Sequence, residues 1–280
     1  MESSEILLTI VMPSFNQAAY LERALLSVIR QKVEDIELIV VDGGSTDGSL
    51  AIIERYDSQI DYWVSEPDRG QSHAFNKGFQ RARGRYLTWV NSDDILLPGS
   101  VDAFRRFVNQ RDFPEWVAAN SLWIDSNDLI IRGTFNSGWS EFAARHGALS
   151  VTGPASYFTK ALLEEAGLID ETYHYSMDTE LWYRFFRLGR RFEVFDHFTW
   201  ALRLHENAKT SGKDFSGDDK VIASIANETR RTFEKYDLQS PGLSQRIALK
   251  VIRLGRAAKL RSIIYTMLHR GSLISKNDEN

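Results

Sequence analysis

Short apolar runs alternate with helix-type patterns along the first hundred residues of this 280-residue chain. Leu21, Leu25 and Val28 illustrate the helical spacing between two of these runs. Continuous apolar strands separated by helices are typical of a parallel sheet that is covered on both faces. The sequence therefore predicts an α/β fold with a central, mostly parallel sheet flanked by helices. The four predicted strands are residues 7–12, 36–41, 60–64 and 86–90.

The pattern changes after about residue 110. We interpret the second half as mixed structure packed onto the first sheet, with Gly133, Gly138 and Gly147 in loops. Further strands are predicted at 116–119, 129–132, 191–195 and 199–204. Further helices are predicted at 178–188, 221–233 and 244–268.

The composition is that of a globular protein, with 43% apolar and 26% charged residues. Cysteine is absent, which excludes disulfide bonds and thiolate metal sites. No run approaches the roughly 20 apolar residues that span a bilayer. The acidic start Met-Glu-Ser-Ser-Glu also lacks the pattern of a signal peptide. We therefore expect a cytoplasmic protein.

Polar residues follow each of the four predicted strands. Parallel sheets bind ligands at the carboxyl ends of their strands, so these four segments are expected to converge. The fourth segment contains adjacent carboxylates, Asp93 and Asp94, and oxygen ligands suit Mg²⁺ or Mn²⁺. Both residues would equally serve as turn or cap residues before a helix near Val101. The four segments are residues 13–16, 42–48, 66–71 and 91–94.

Six blocks of the sequence form a recognisable pattern: IVMPSFNQAAYLERALLSVIRQ, IELIVVDGGSTDGS, SEPDRGQSHAFNKGF, RYLTWVNSDDILLPGS, GLIDETYHYSMDTELWYRF and LRLHENAKT. In order and spacing they resemble the inverting glycosyltransferases of family 2 of bacterial polysaccharide type. The resemblance covers about residues 6–210. It implies a GT-A fold over residues 1–215, with a nucleotide-binding half at 1–110 and an acceptor half at 111–215. A helical C-terminal extension would follow at 216–280.

The resemblance implies a nucleotide-binding role for several residues. Phe15 matches an aromatic residue that stacks on the base, although it would also suit packing behind the first strand. Asp42 matches a nucleotide-contacting acid, and Gly43 replaces a second Asp that contacts uracil in many members. Donors with dTDP or GDP therefore stay open beside UDP. The other implied donor contacts are Pro13, Asn16, Arg69, Gly70, Asn76 and Ser92.

The same resemblance implies a divalent metal, Mg²⁺ or Mn²⁺. Asp93 matches the conserved carboxylate of the metal motif, with Asp94 beside it, and His205 matches a histidine near the diphosphate. Asn91 stands where the first Asp of the motif is usual. Because this lowers the local negative charge, we expect weak metal binding that the donor diphosphate completes.

Asp178 matches the catalytic carboxylate of the family. A carboxylate that reaches the acceptor hydroxyl can remove its proton during an inverting transfer. Met177 replaces the usual Glu before it. Asp178 would also suit a helix start whatever the function, and we interpret Glu180 as a surface acid.

The resulting hypothesis is a metal-dependent inverting glycosyltransferase. It would move a hexose-type sugar from a nucleotide diphosphate to a hydroxyl of a glycan or lipid-linked acceptor, with no nucleic acid partner. Asn91 and Met177 leave a noncatalytic nucleotide-sugar binding protein open as an alternative. A nucleotidyltransferase is a further alternative, although its usual Gly-rich first loop is absent after Met12.

Charge is distributed unevenly along the chain. From residue 243 onward, eight Lys and Arg residues stand against Asp278 and Glu279, a net charge of +6 that leaves −10 for residues 1–242. Such asymmetry suggests an anionic surface as a partner. Because apolar residues lie between the cations, we predict a peripheral contact of 244–270 with the inner face of a membrane. The alternative is a helix packed on the acidic part of the chain with its basic face in water.

Overall fold

The apolar runs predicted as strands form strands in the computed structural model, which describes residues 5–209, 219–254 and 258–274. Within these residues the strands are β1 (Leu8–Ser14), β2 (Ile36–Asp42), β3 (Tyr62–Ser65), β4 (Tyr86–Trp89), β5 (Ile95–Leu96), β6 (Trp116–Ile124), β7 (Ile130–Thr134), β8 (Ser156–Thr159) and β9 (Glu193–Arg203). The helices are α1 (Ala18–Ile29), α2 (Ser49–Arg55), α3 (Gln71–Arg81), α4 (Ser100–Gln110), α5 (Glu141–Arg145), α6 (Lys160–Ala166), α7 (Met177–Arg187), α8 (Asp219–Lys235), α9 (Leu243–Leu254) and α10 (Ala258–His269).

The first half of the sheet is parallel, in the order β3-β2-β1-β4. Leu8, Ile10 and Met12 of β1 pack with α1 and α4 on one face, whereas Val11 packs with α3 and α7 on the other. Burial of both faces explains why these strands are continuously apolar. Since the strands run in the same direction, their carboxyl ends meet at one edge. The predicted α/β architecture is confirmed.

The second half of the sheet is mixed. β8 runs antiparallel to β4 and to β6, while β9 runs parallel to β6 and antiparallel to β5. The two strands predicted at 191–195 and 199–204 are one strand, β9. Its register with β6 shifts beside Asn120. Such an irregularity interrupts the apolar pattern of a strand and makes it resemble two.

The C-terminal helices pack against the sheet and its loops. α10 lies along β7, where a Cβ at Gly133 would be only 2.6 Å from the ring of Tyr265. Gly133 lies within β7, so its predicted place in a loop is wrong. The helix predicted at 244–268 is described as α9 and α10, with residues 255–257 between them outside the described part. The predicted domain boundary at 215 also falls on residues that the structure does not describe.

None of the described helices has the length and hydropathy needed to cross a membrane.

Candidate active site

A cavity of about 730 Å³ opens at the carboxyl edge of the parallel strands. Loops from the second half of the chain complete its wall, and open α/β sheets bind ligands at this edge. Residues that line the cavity include Pro13, Ser14, Phe15, Gln17, Gly43, Asp68, Gly70, Gln71, Asn91, Ser92, Asp93, Gly153, Tyr175, Met177, Asp178, Trp200, Asn207 and Lys209.

Asp42 organises the loop that follows β2. Its buried carboxylate accepts hydrogen bonds from the backbone N–H groups of Gly44 (3.1 Å) and Ser45 (2.9 Å). The hydroxyls of Ser45 (2.5 Å) and Ser65 (2.7 Å) also donate to it. With these four donors Asp42 connects the loop to β3, and its oxygens are occupied by the protein.

Phe15 lies at the cavity with 59% of its surface exposed. The next residue, Asn16, has a φ of 52°, and its backbone N–H donates to Ser45 Oγ at 2.8 Å. Asn16 Oδ1 accepts from the N–H of Thr46 at 2.9 Å. These bonds hold the loops after β1 and β2 together beside the ring. Such exposure does not fit packing behind β1, and an accessible flat ring suits stacking on a nucleobase.

The start of α3 is fixed against the loop at 169–171. Arg69 forms an ion pair with Glu171 at 2.6 Å. The Asn76 amide donates to Ile169 O at 2.9 Å and to Glu171 Oε1 at 3.0 Å, and its oxygen accepts from Ile169 N at 2.9 Å. Gly70 reaches the cavity, whereas the Arg69 and Asn76 side chains make contacts that hold the wall together.

A chain of hydrogen bonds crosses the cavity wall through Asn91. Lys209 Nζ donates to Gln71 Oε1 (3.1 Å), and Gln71 Nε2 donates to Asn91 Oδ1 (2.9 Å). Asn91 Nδ2 donates to Asp94 Oδ2 (2.7 Å), while the N–H of Arg203 donates to Asp94 Oδ1 (2.9 Å). Burial, followed by a neighbouring negative charge, raises the pKa of Asp94 well above its usual range. Asn91 thus satisfies a buried carboxyl group.

Asp93, which precedes Asp94 in the same wall, faces His205. Asp93 Oδ2 and His205 Nε2 are 3.0 Å apart. The His205 ring lies 4.4 Å from the ring of Tyr20, and Arg203 Nε donates to the Asp93 carbonyl at 2.8 Å. His205 Nδ1 is buried and finds no hydrogen-bond partner among the described residues. Tyr20 and Arg203 hold the Asp93–His205 pair in place, and Asp93 itself lines the cavity.

Asp93 and His205 carry the kinds of atom that would hold a divalent cation. Asp93 Oδ2 and His205 Nε2 are 3.0 Å apart, a hydrogen-bond distance, and a carboxylate oxygen and a neutral imidazole nitrogen both serve as ligands of Mn²⁺. In the described part of the chain no group of three His, Cys, Asp or Glu side chains is arranged for a metal. Further ligands would have to come from a bound diphosphate or water. Both oxygens of Asp94 accept protein hydrogen bonds instead.

Asp178 is the second residue of α7 and lines the cavity. Burial raises the pKa of its carboxyl, although hydrogen bonds from Thr179 oppose the shift. A Cβ at Gly153 would lie 3.1 Å from Asp178 Oδ2 and 3.2 Å from the Trp89 ring. A glycine at 153 therefore gives this carboxyl its room. A carboxyl with a raised pKa is a better proton acceptor than an exposed one.

Glu228 of α8 holds the segment that precedes Asp178. Its buried carboxylate accepts from the backbone N–H groups of His174 (2.7 Å), Tyr175 (3.0 Å) and Ser176 (2.9 Å). Burial alone would raise the pKa of Glu228, but these hydrogen bonds outweigh it and lower the pKa. α8 therefore positions a wall of the cavity.

Comparison with known proteins agrees with this geometry. Residues 9–113 match the model for Glycosyl transferase family 2. An uncharacterized glycosyltransferase of Rickettsia prowazekii, RP339, is 28% identical over 201 residues, which are 68% of this chain and 61% of that protein. The glycosyltransferase GlyG of Streptococcus pneumoniae is 32% identical over 125 residues, 44% of this chain and 41% of GlyG. The predicted resemblance to glycosyltransferase family 2 is confirmed. This chain spans about three-fifths of the length of RP339.

Solved structures share the fold of this chain. Residues 1–349 of TarS from S. aureus, in complex with UDP-GlcNAc, align with a TM-score of 0.60 at 17% identity, over 82% of this chain and 71% of that one. The mannosyltransferase PcManGT from Pyrobaculum calidifontis, in complex with GDP-Man and Mn²⁺, aligns with a TM-score of 0.59 at 16% identity, over 94% of this chain and 73% of that one. The predicted GT-A fold is confirmed.

Seven of the twelve residues expected at the site line the cavity or lie within hydrogen-bond distance of the Asp93 carboxylate. Six line the cavity: Pro13, Phe15, Gly70, Ser92, Asp93 and Asp178. His205 contacts one of them directly. The others lie behind the wall or hold its loops: Asn16, Asp42, Arg69, Asn76 and Asp94.

One expectation about an acid was wrong, and one acid was missed. Glu180, expected at the surface, is buried and bonds to Arg184, Lys235 and Tyr236, because α8 covers it. Glu228 was not predicted at all. Its sequence neighbourhood is an ordinary helix, and only the fold brings it to the start of α7.

Proposed function

We propose that this protein transfers a sugar, with inversion, from a nucleoside diphosphate donor to a hydroxyl of a glycan or lipid-linked acceptor in polysaccharide synthesis. The observation that carries the proposal is the convergence of Phe15, Asp93 and Asp178 on one cavity. These residues offer a surface for a base, a ligand for a cation and a proton acceptor. Complexes of the structural neighbours with UDP-GlcNAc and GDP-Man support this class of donor.

In this proposal Phe15 stacks on the base, and Asp93 and His205 are the residues that would hold Mg²⁺ or Mn²⁺ beside the diphosphate. Such a cation would supply positive charge against the negative charge of the leaving diphosphate. Arg203 and Tyr20 keep the Asp93–His205 pair in position. The complex of PcManGT with Mn²⁺ supports a divalent metal in this fold.

Asp178 acts as the general base. The acceptor oxygen forms a bond to the anomeric carbon as the bond from that carbon to the diphosphate breaks, and the hydroxyl proton passes to Asp178. Attack from the face opposite the leaving group inverts the anomeric configuration. The raised pKa of Asp178 favours proton uptake at this position.

The test is product analysis with the full chain. It is incubated with UDP, dTDP and GDP sugars, Mn²⁺ and candidate glycan acceptors, and nucleoside diphosphate release and the anomeric configuration of the product are measured. We expect turnover with inversion, and its loss in Asp178→Asn with nucleotide binding retained. Binding without turnover in the wild type would favour a noncatalytic nucleotide-sugar binding protein. Transfer of the nucleoside monophosphate with release of sugar 1-phosphate would favour a nucleotidyltransferase.

A further inference from the structure

The carboxylate of Asp68 occupies the place that a side chain at position 43 would take. A Cβ built on Gly43 would lie 2.7 Å from Asp68 Oδ2 and 3.2 Å from Phe15 Cδ2. Gly43, Asp68 and Phe15 all line the cavity. An acid that enters from the loop after β3 thus lies beside the exposed aromatic ring.

Asp68 is oriented by its own loop. Its Oδ1 accepts a hydrogen bond from the backbone N–H of Gly70 at 2.7 Å. Gly70 has a φ of 109°, which favours glycine and lets the chain turn into α3. The bond fixes one oxygen of the carboxylate, and the other, Oδ2, is the atom nearest to the space above Gly43.

We propose that Asp68 selects the base of the nucleotide donor. The proposal rests on the nucleotide-sugar function above. A carboxylate accepts hydrogen bonds and donates none. It therefore favours a base with a ring N–H, namely uracil, thymine or guanine. Cytosine and adenine present a ring nitrogen lone pair at the corresponding edge, which the carboxylate repels.

Gly43 leaves open the space that the Asp68 carboxylate occupies. A side chain at 43 would meet Asp68 Oδ2 inside the closest approach of a real Cβ. An acid can therefore reach the base from position 43 or from position 68, but the two side chains compete for one space, so the Asp68 carboxylate would have to turn away from a side chain at 43. Gly43 has no positive φ, so a side chain there would meet this contact without straining the backbone.

The first experiment measures the affinity of the full chain for UDP, dTDP, GDP, CDP and ADP with Mn²⁺ by titration calorimetry. Wild type is expected to prefer ring N–H bases. Asp68→Asn keeps an oxygen for Gly70 but presents N–H donors to the base. It should weaken the preferred nucleotide about ten- to hundredfold, as for a lost hydrogen bond to a charged group, and bring CDP to equal or tighter binding. Asp102→Asn, exposed on α4, is the matched control.

The second experiment moves the acid from position 68 to position 43. Gly43→Asp alone and Asp68→Gly alone should each lose base discrimination, and the double variant should recover it. If Asp68 only shaped its loop, the double variant would not recover base discrimination. If wild type binds no nucleoside diphosphate, the proposed function falls and this inference with it. If wild type binds but Asp68→Asn keeps the same base preference, or the double variant does not recover, the inference alone is overturned.

Discussion

Asn91 is one of the residues at which this chain departs from the pattern of glycosyltransferase family 2, and its contacts explain the amide. It donates to the buried Asp94 carboxyl at 2.7 Å and accepts from Gln71 at 2.9 Å. An Asp at this position would place two carboxyl groups face to face and remove the donor. The amide therefore suits the environment of Asp94.

Asn91→Asp is expected to lower the free energy of unfolding by about 1–3 kcal/mol, since it leaves a buried acceptor without its donor. Urea unfolding of the purified chain measures the effect. Asn127→Asp, an exposed change of the same chemistry, is the control. Equal urea midpoints for the two variants would contradict the role given to Asn91.

Asp178→Asn separates catalysis from stability. Transfer should fall at least about a hundredfold, in the range of a lost general base, while the Kd of the nucleotide stays the same. Because burial raises the pKa of Asp178, the ionised carboxyl lowers the stability of the fold at neutral pH. The Tm of the variant at pH 7 should therefore equal or exceed that of wild type. A clear drop in Tm would mean that Asp178 holds the structure together.

The pH dependence follows from the same shift. A general base works only when deprotonated, so transfer should decline as the pH falls through the Asp178 pKa, which lies above that of an ordinary Asp. Any gain in Tm from Asp178→Asn should disappear as the pH approaches about 4, where the unfolded carboxyl is protonated too. Rate and melting profiles between pH 4 and pH 8 measure both effects. A Tm difference independent of pH would contradict this account.

The positions of Phe15, Asp93 and Asp178 at the cavity were predictable because each is adjacent to a strand end or helix start that the apolar pattern reveals, whereas the roles proposed for them rest on the resemblance to the family. Asp68 and Gly153 were not, because their roles depend on distances to residues far along the chain. Spacing along a sequence carries no information about such contacts until the loops are folded.

At the level of elements, α8 and α7 form a unit through Glu228. This carboxylate accepts three backbone N–H groups at 174–176, directly before α7 and Asp178. Tyr236, just after α8, also stacks on Tyr183 of α7 with ring centroids 6.1 Å apart. α8 is therefore part of the framework that positions the site.

Glu228→Gln should lower the stability at pH 7 by about 2 kcal/mol, because an amide replaces a charged acceptor of several hydrogen bonds. It should also lower kcat more than it changes nucleotide Kd, since it displaces Asp178 and not the base site. The pKa of Glu228 is lowered in the fold, so its contribution is present above the unfolded pKa of about 4.3 and is lost as the pH falls through the folded value. Glu234→Gln, exposed on the same helix, is the control. Equal effects of both variants would contradict a positioning role.

Elements were predictable where local periodicity decides them. α1 and α3 each bury a regular apolar face against one side of the sheet that contains β1 and β2, so the patterns of these elements are clear. β9 was divided into two strands because its register shift breaks the pattern, and Gly133 resembles a loop residue until α10 is seen to require it. Tertiary packing, which sequence windows do not contain, decides these cases.

For the whole molecule, the basic C-terminal helices present an apolar surface to solvent. Leu243, Ile247 and Val251 of α9 lie at i, i+4 and i+8 and so share one face, and all three are exposed. Arg246 and Lys250 are exposed on the same helix. Exposed apolar groups beside cations suit an anionic lipid surface, and lipid-linked acceptors would be presented there.

The full chain is therefore expected to sediment with vesicles that contain an anionic phospholipid at low salt, and less at high salt, where charges are screened. Ile247→Gln combined with Val251→Gln should reduce sedimentation at every salt concentration, because it removes apolar contact. Ile222→Gln, an exposed apolar residue on α8, should leave binding unchanged. If the chain ignores anionic vesicles at low salt, or if the α8 variant loses binding equally, the alternative holds that these helices only pack on the acidic part of the chain and face water.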